Sequence, residues 1–183
     1  METPRLILTR FTSDHLEGYY RIWSSKEATQ WSSRGICKSL EDTRTWMSAL
    51  LVETNPDVEV YAILLKPDQN KNENENNNNN NDIIGVIGTH KTNPTPVELS
   101  YILHPSAWGN GYATEALRVY VQHYFHLKPQ FDRLTAWVDT ENAGSIKVLQ
   151  KCGFVEEKME KGDYVIEWKT PSKRDSFLYV LKK

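Results

Sequence analysis

Residues 97–116, VELSYILHPSAWGNGYATEA, have the types and spacing that could do chemistry, and that chemistry is the holding of an anion. A short apolar run from Glu98 to Leu103 stops at His104-Pro105, where proline's missing N–H and fixed φ end strand pairing. After a turn, Gly109-Asn110-Gly111 opens a segment in which Ala113, Ala116, Leu117, Tyr120, Val121 and Tyr124 recur at helical spacing. Glycines at a helix start let the backbone approach a ligand without Cβ interference. The first N–H groups of the helix, unpaired and at the positive end of its dipole, can then hold a pyrophosphate. By local rules alone, the same residues also make an ordinary turn and cap. Neither G-x-x-x-x-G-K-[ST] nor G-x-G-x-x-G is present, so there is no P-loop lysine and no dinucleotide fingerprint.

The elements that must position this stretch fit one domain, since 183 residues are enough for a real core. A formal net charge of −2 with no basic stripe argues against nucleic acid as a partner. METPRLILTRF has charges interrupting a short apolar run, so it reads as neither signal peptide nor anchor, and no stretch is long and apolar enough for a bilayer span. Cys37 and Cys152 lie far apart, outside any C-x-x-C spacing, which speaks against zinc and redox motifs and for a reducing, cytoplasmic setting.

Taken in order, Arg5–Arg10 reads as a first strand. Thr12 caps a helix with Phe11 and Leu16 at staple spacing and Tyr19, Tyr20 and Trp23 on its apolar face. A polar loop, Ser24–Lys38, surrounds Trp31 and could cover a cleft. A second helix begins at Ser39 and ends before Asn55-Pro56. Val58–Leu65 and Ile83–Thr89 are strands, the second with Gly85 and Gly88 for close packing. Between them, residues 67–82, PDQNKNENENNNNNND, hold nothing apolar to offset ordering entropy and read as a disordered insert. Removing Asn72–Asn81 should therefore leave the melting temperature nearly unchanged, because long surface loops cost little; a calorimetric drop of many degrees would show the tract to be structural. A turn at Asn93–Pro96 leads into the strand already described. After the central helix, Leu134–Val138 is a fifth strand and Asn142 caps a last helix with Gly153 at its C′ position. The last part, Val155–Lys183, reads as two strands, with Tyr164–Trp168 and Phe177–Leu181 flanking a turn at Thr170–Asp175.

Trp108-Gly109-Asn110-Gly111-Tyr112-Ala113-Thr114-Glu115-Ala116 resembles the acyl-CoA pyrophosphate loop of the GNAT acetyltransferase superfamily, in the form used by its ribosomal-protein N-terminal acetyltransferase branch. The run from Asn142 through Ser145 and Val148-Leu149-Gln150-Lys151 to Gly153-Phe154 resembles the second signature. Thr3 to Trp23 resembles the family's opening, T-x-R-L-x-L-R-x-F. The resemblance implies an α/β (α+β) GNAT fold: one mixed, mostly antiparallel sheet of six to seven strands flanked by about four helices and splayed between strands four and five. It also implies a single N-acetyltransferase domain over residues 1–183, acting as a monomer or homodimer.

The resemblance further implies acetyl-CoA as cofactor, with pantetheine pairing along Tyr101, Ile102 and Leu103 and reaching Asn142. The pyrophosphate would rest on Trp108, Gly109, Asn110, Gly111, Tyr112, Ala113 and Thr114. Transfer of acetyl to an amine needs a neutral nucleophile, an oxyanion donor and a proton for the leaving thiolate. Glu98 stands where relatives carry a basic glutamate, and a backbone N–H near Ile102 would meet the oxyanion. The helix position where many relatives have an acidic tyrosine is here Leu149, which leaves Ser145 as the proton donor. Glu98 also reads as a plain strand residue and Ser145 as a tolerated polar one. His104, His123 and His126 read as turn or packing residues, and neither cysteine has a basic sequence neighbour that would activate a covalent route. The acceptor is an amine, of a peptide N-terminus or a small molecule, chosen by the loops around Trp31 and at Lys169–Asp175. Lys173 and Arg174 there hint at an anionic acceptor group. The alternative is a non-catalytic acyl-CoA-binding module.

Overall fold

In the computed structural model, which describes residues 1–56, 58–67, 82–91 and 97–183, seven strands form one sheet. They are β1 (Leu6–Arg10), β2 (Glu59–Leu65), β3 (Ile83–Lys91), β4 (Val97–Leu103), β5 (Arg133–Asp139), β6 (Val155–Val165) and β7 (Lys173–Lys182). The helices are α1 (Leu16–Trp23), α2 (Leu40–Ser48), α3 (Tyr112–Leu127) and α4 (Ala143–Lys151). The central asparagines and the Asn93–Pro96 turn lie outside the described residues. No helix among those described is long and apolar enough to cross a membrane.

The strand order is β1-β2-β3-β4-β5-β7-β6, and every neighbouring pair is antiparallel except β4 with β5. A crossover through α3 is what makes that one pair parallel. Each face of the sheet carries its own core. Leu117, Tyr120 and Tyr124 of α3 and Leu149 of α4 pack on one side with Leu6, Leu8 and Leu134. Tyr19 and Ile22 of α1 and Met47 of α2 pack on the other with Val60, Ala62 and Val86. Buried on both faces, β2 is accordingly an almost unbroken apolar run, EVYAILL. Gly85 permits the close approach of β4, since a Cβ there would lie 2.7 Å from the Ile102 carbonyl oxygen.

Local signals predict the ends of elements well. Ser39 Oγ accepts from Asp42 N at 3.1 Å at the start of α2, and Asn142 Oδ1 accepts from Ser145 N at 3.1 Å at the start of α4. Gly153, at φ +86°, ends α4 with Phe154 N donating to Leu149 O at 3.1 Å. Three expectations need correction. α2 ends at Ser48, well short of Asn55-Pro56. Thr12 caps a single 3-10 turn, Ser13–His15, and the α-helix starts only at Leu16. β7 already begins at Lys173, inside the expected Thr170–Asp175 turn, and the sixth strand runs Val155–Val165, stopping short of Trp168. Its outward-facing residues are nearly all exposed, so pairing with β7 defines it and apolar alternation does not.

Candidate active site

β4 pairs with β3 along its whole length but with β5 only at Val97 and Glu98, and from Leu99 onward the two central strands part. Backbone N–H and C=O groups along that parting have no strand opposite them, and such groups demand a partner. The gap opens into a cleft of about 1320 Å³. Alternation along the strand assigns the faces. Val97, Leu99, Tyr101 and Leu103 turn toward α3 and α4, while Ile102 packs with the α1–α2 core, which places Glu98 on that second side. By the same alternation Trp137 of β5, 39 % exposed, shares the side of Glu98.

The cleft's outer end is the turn into α3. Gly109 and Gly111 hold φ of +76° and +79°, a conformation L side chains resist, and a Cβ on Gly109 would meet nothing within 4 Å. Paired left-handed residues curl the backbone N–H groups into a concave, anion-seeking surface at the helix start. The turn is pinned to β4 by Trp108, whose Nε1 donates to Leu103 O at 3.0 Å, and is braced internally by Asn110 Nδ2, which donates to Trp108 O at 2.9 Å.

Glu98, Tyr101, Ile102, Leu103, Trp108, Gly109, Gly111, Tyr112, Ala113, Thr114, Asn142, Ser145 and Trp31 all line this one cleft. Asn110 is the predicted loop residue that does not, because its side chain and carbonyl are turned outward. Tyr101 bridges the parting by donating from its phenol to Ser145 O at 3.2 Å, and burial pushes that phenol's pKa well above its ordinary value. Asn142 Oδ1 is engaged in capping. His104 caps the 3-10 turn at Pro105–Ala107 and its Nδ1 lies 2.8 Å from Ser106 Oγ, a turn role as expected. Burial raises the pKa of both thiols, Cys37 and Cys152, so neither is poised as a nucleophile.

Residues missed in the sequence surround Glu98 and the acceptor side. His90 stands directly opposite Glu98 across the β3–β4 pair, with Nε2 3.6 Å from Glu98 Oε2. A hairpin centred on Pro94 would have predicted that pairing. The two acceptor loops meet, since Lys169 Nζ lies 3.5 Å from the Trp31 ring centroid. Trp31 therefore closes the cleft against the β6–β7 turn.

Arg174 corrects an expectation. It is 4 % exposed and committed, with Nε 2.8 Å from Asp139 Oδ2 and Nη2 2.6 Å from Glu141 Oε2, so it is no exposed anchor for an anionic acceptor. Burial alone would raise the Asp139 carboxyl, but hydrogen bonds from Arg174 and Tyr164 hold its pKa below the ordinary value. Arg174→Met should lower the melting temperature by roughly 10 °C at pH 7, because a buried carboxylate is left unpaired. A depressed folded pKa contributes stability above the unfolded value and loses it as pH falls through the folded one. The gap between variant and wild type should thus be full at pH 7 and close below the carboxylate range. An equal gap at pH 7 and pH 2.5 in calorimetric melts would dissociate it from Asp139.

Glu98 at the last paired position, the parting beyond it and the left-handed glycine turn thus lie along one cleft. The chain belongs to the acetyltransferase (GNAT) domain family, whose sequence pattern matches residues 5–155. It is an acetyltransferase with the fold of that family. It is 25 % identical over 185 residues to the uncharacterized N-acetyltransferase YoaA of Bacillus subtilis, covering 100 % of this chain and 96 % of that one. Its structure is similar to that of the spermidine N-acetyltransferase from Vibrio cholerae, solved with CoA and spermine (TM-score 0.77, 15 % identity, 98 % of this chain and 96 % of that one). It is similar too to the ribosomal-protein-S5-alanine acetyltransferase from Vibrio fischeri (TM-score 0.76, 18 % identity, 100 % and 95 %).

Proposed function

We propose that this protein moves the acetyl group of acetyl-CoA onto a primary amine, of a protein N-terminus or a small molecule, by direct attack of the amine on the thioester. The observation that carries the reading is the parting of β4 from β5 immediately beyond Glu98, with the Gly109–Thr114 cradle at its outer end. The residues fit the donor: a diphosphate suits the left-handed glycines and free helix N–H groups, and a pantetheine arm's amides suit the unpaired edge of β4. When bound, the donor supplies an activated acyl carbon. The chain does the rest. Glu98, on the α1–α2 side, takes the proton of the incoming ammonium, directly or through water, with His90 beside it. A backbone N–H of β4 near Ile102 donates to the carbonyl oxygen as charge develops there. Ser145, at the first turn of α4, gives its hydroxyl proton to the departing sulfur and regains one, through water, from the attacking nitrogen as that nitrogen becomes an amide. Trp31 and Trp137 border the acceptor side and exclude water.

The structural relatives are named for alanine of ribosomal protein S5 and for spermidine, which supports an amine acceptor here. Acetyl-CoA consumption measured against a panel of N-terminal peptides, amino acids and polyamines tests the reading. Acetylated product with at least one amine is expected. Tight CoA binding with no turnover on any of them would leave an acyl-CoA-binding module in its place.

A further inference from the structure

The opening motif of the chain has no role in the chemistry above, yet it lies against the outer face of the glycine turn. Thr3 Oγ1 donates to Glu115 Oε1 at 2.5 Å, and the Arg5 backbone N donates to the same oxygen at 3.1 Å. Arg5 Nε and Nη2 lie 2.8 and 2.6 Å from Glu115 Oε2, and Arg5 Nη1 donates to Asn110 O at 3.0 Å. The guanidinium also stands 4.7 Å from the Tyr112 ring centroid. From these contacts we infer that Arg5, supported by Thr3 and Glu115, is a positioning residue that aims and charges the turn for a diphosphate. The inference rests on the reading of Gly109–Thr114 as the donor's diphosphate site.

Two physical steps carry it. The first is geometric. Asn110 C=O and Gly111 N–H belong to one trans peptide and point opposite ways. Arg5 holds that carbonyl outward, so the Gly111 N–H is directed into the cleft, in keeping with Gly111 lining the cleft and Asn110 not. Gly111, on one side of this peptide, has no Cβ to hold its φ of +79°, so the peptide can rotate about it unless something fixes it. The second step is electrostatic. Glu115 sits in the first turn of α3, where a carboxylate suits the helix dipole but repels an anion at the same helix end. Arg5 cancels that charge. Burial alone would raise the Glu115 pKa, but hydrogen bonds from Thr3 and Arg5 hold it below its ordinary value, so the carboxylate is ionised and needs cancelling.

The test compares donors with and without the diphosphate. Arg5→Ala should raise the Kd for CoA by roughly tenfold or more, as expected for losing charge-assisted hydrogen bonds at an anion site, and raise KM for acetyl-CoA with kcat within about twofold. Turnover of acetyl-pantetheine, which lacks the diphosphate, should change by less than about threefold. Arg5→Lys restores charge without the two-armed fork and should fall between. Arg5→Ala combined with Glu115→Gln should bind CoA more tightly than Arg5→Ala alone, because the uncancelled carboxylate is gone. A CoA Kd within about twofold of wild type for Arg5→Ala, or an equal loss with acetyl-pantetheine, would overturn the inference. If Gly111→Asp loses CoA while Arg5→Ala keeps it, the inference alone fails; if Gly111→Asp binds CoA normally, the diphosphate site itself is wrong and the inference falls with it.

Discussion

Gly111→Asp is expected to abolish the binding of CoA and acetyl-CoA, with a Kd raised by roughly 10²-fold or more, while the fold survives. The fold survives for two reasons. Aspartate tolerates the left-handed backbone that Gly111 adopts at φ +79° better than other side chains do. A Cβ at that position meets nothing closer than Arg5 Nη2 at 3.6 Å, an ordinary contact with a favourable charge. Binding fails because the new carboxylate adds a negative charge beside the backbone that would hold a diphosphate and competes for the Arg5 guanidinium, at separations where like charges repel by about 1–4 kcal/mol each at the effective dielectric of a partly wet site. Gly111→Asn has nearly the same shape and the same backbone tolerance without the charge. Calorimetric titration of the pair therefore separates obstruction from repulsion, and a larger loss for Gly111→Asp is the expected order. Micromolar acetyl-CoA binding by Gly111→Asp would move the diphosphate to another part of the chain.

The glycine turn was legible because its signals are local: the proline that stops β4, the two glycines and the helical spacing after them all fall within twenty residues. The caps of α2 and α4 and the Gly153 terminator were legible for the same reason. What the sequence hides is pairing at a distance. Arg174 reads as a solvated turn charge until β7 is laid beside β5 and brings it to Asp139, 35 residues away. Arg5 and Glu115 are 110 residues apart, and only the packing of the opening segment on α3 joins them. The extent of β6 is hidden because its own residues carry no alternation: Val155 is 69 % exposed, and of Tyr164–Trp168 only Tyr164 and Val165 lie in the strand. The order in which β7 lies between β5 and β6 is likewise a property of the folded sheet.

Glu98→Gln should leave CoA affinity intact and lower kcat by roughly 10²-fold or more at pH 7, and the pH dependence of the defect should report the acceptor. Glutamine keeps the size and hydrogen-bonding head of the side chain, and position 98 lies at the inner end of the parting, away from the glycine turn, so donor binding is not disturbed. What is lost is the ability to take a proton. An α-amine, with a pKa near 8, gives up its proton at pH 7 for only about 1.4 kcal/mol, whereas a lysine or polyamine nitrogen near 10.4 costs about 4.6 kcal/mol. The base therefore matters more for the second kind of acceptor. Raising the pH lets bulk solvent supply the neutral amine. With an α-amine, the gap between Glu98→Gln and wild type should shrink substantially by pH 9, because most of the acceptor is then already neutral. With an alkyl amine most of the acceptor is still protonated at pH 9, so much of the gap should remain. Initial rates of both enzymes from pH 6.5 to 9.5, with one acceptor of each kind, give the comparison. Wild-type turnover by Glu98→Gln at pH 7 on its best acceptor would reduce Glu98 to a strand residue facing the cleft. The proton would then have to leave through water or through another group on the acceptor side, of which His90, 3.6 Å away, is the nearest.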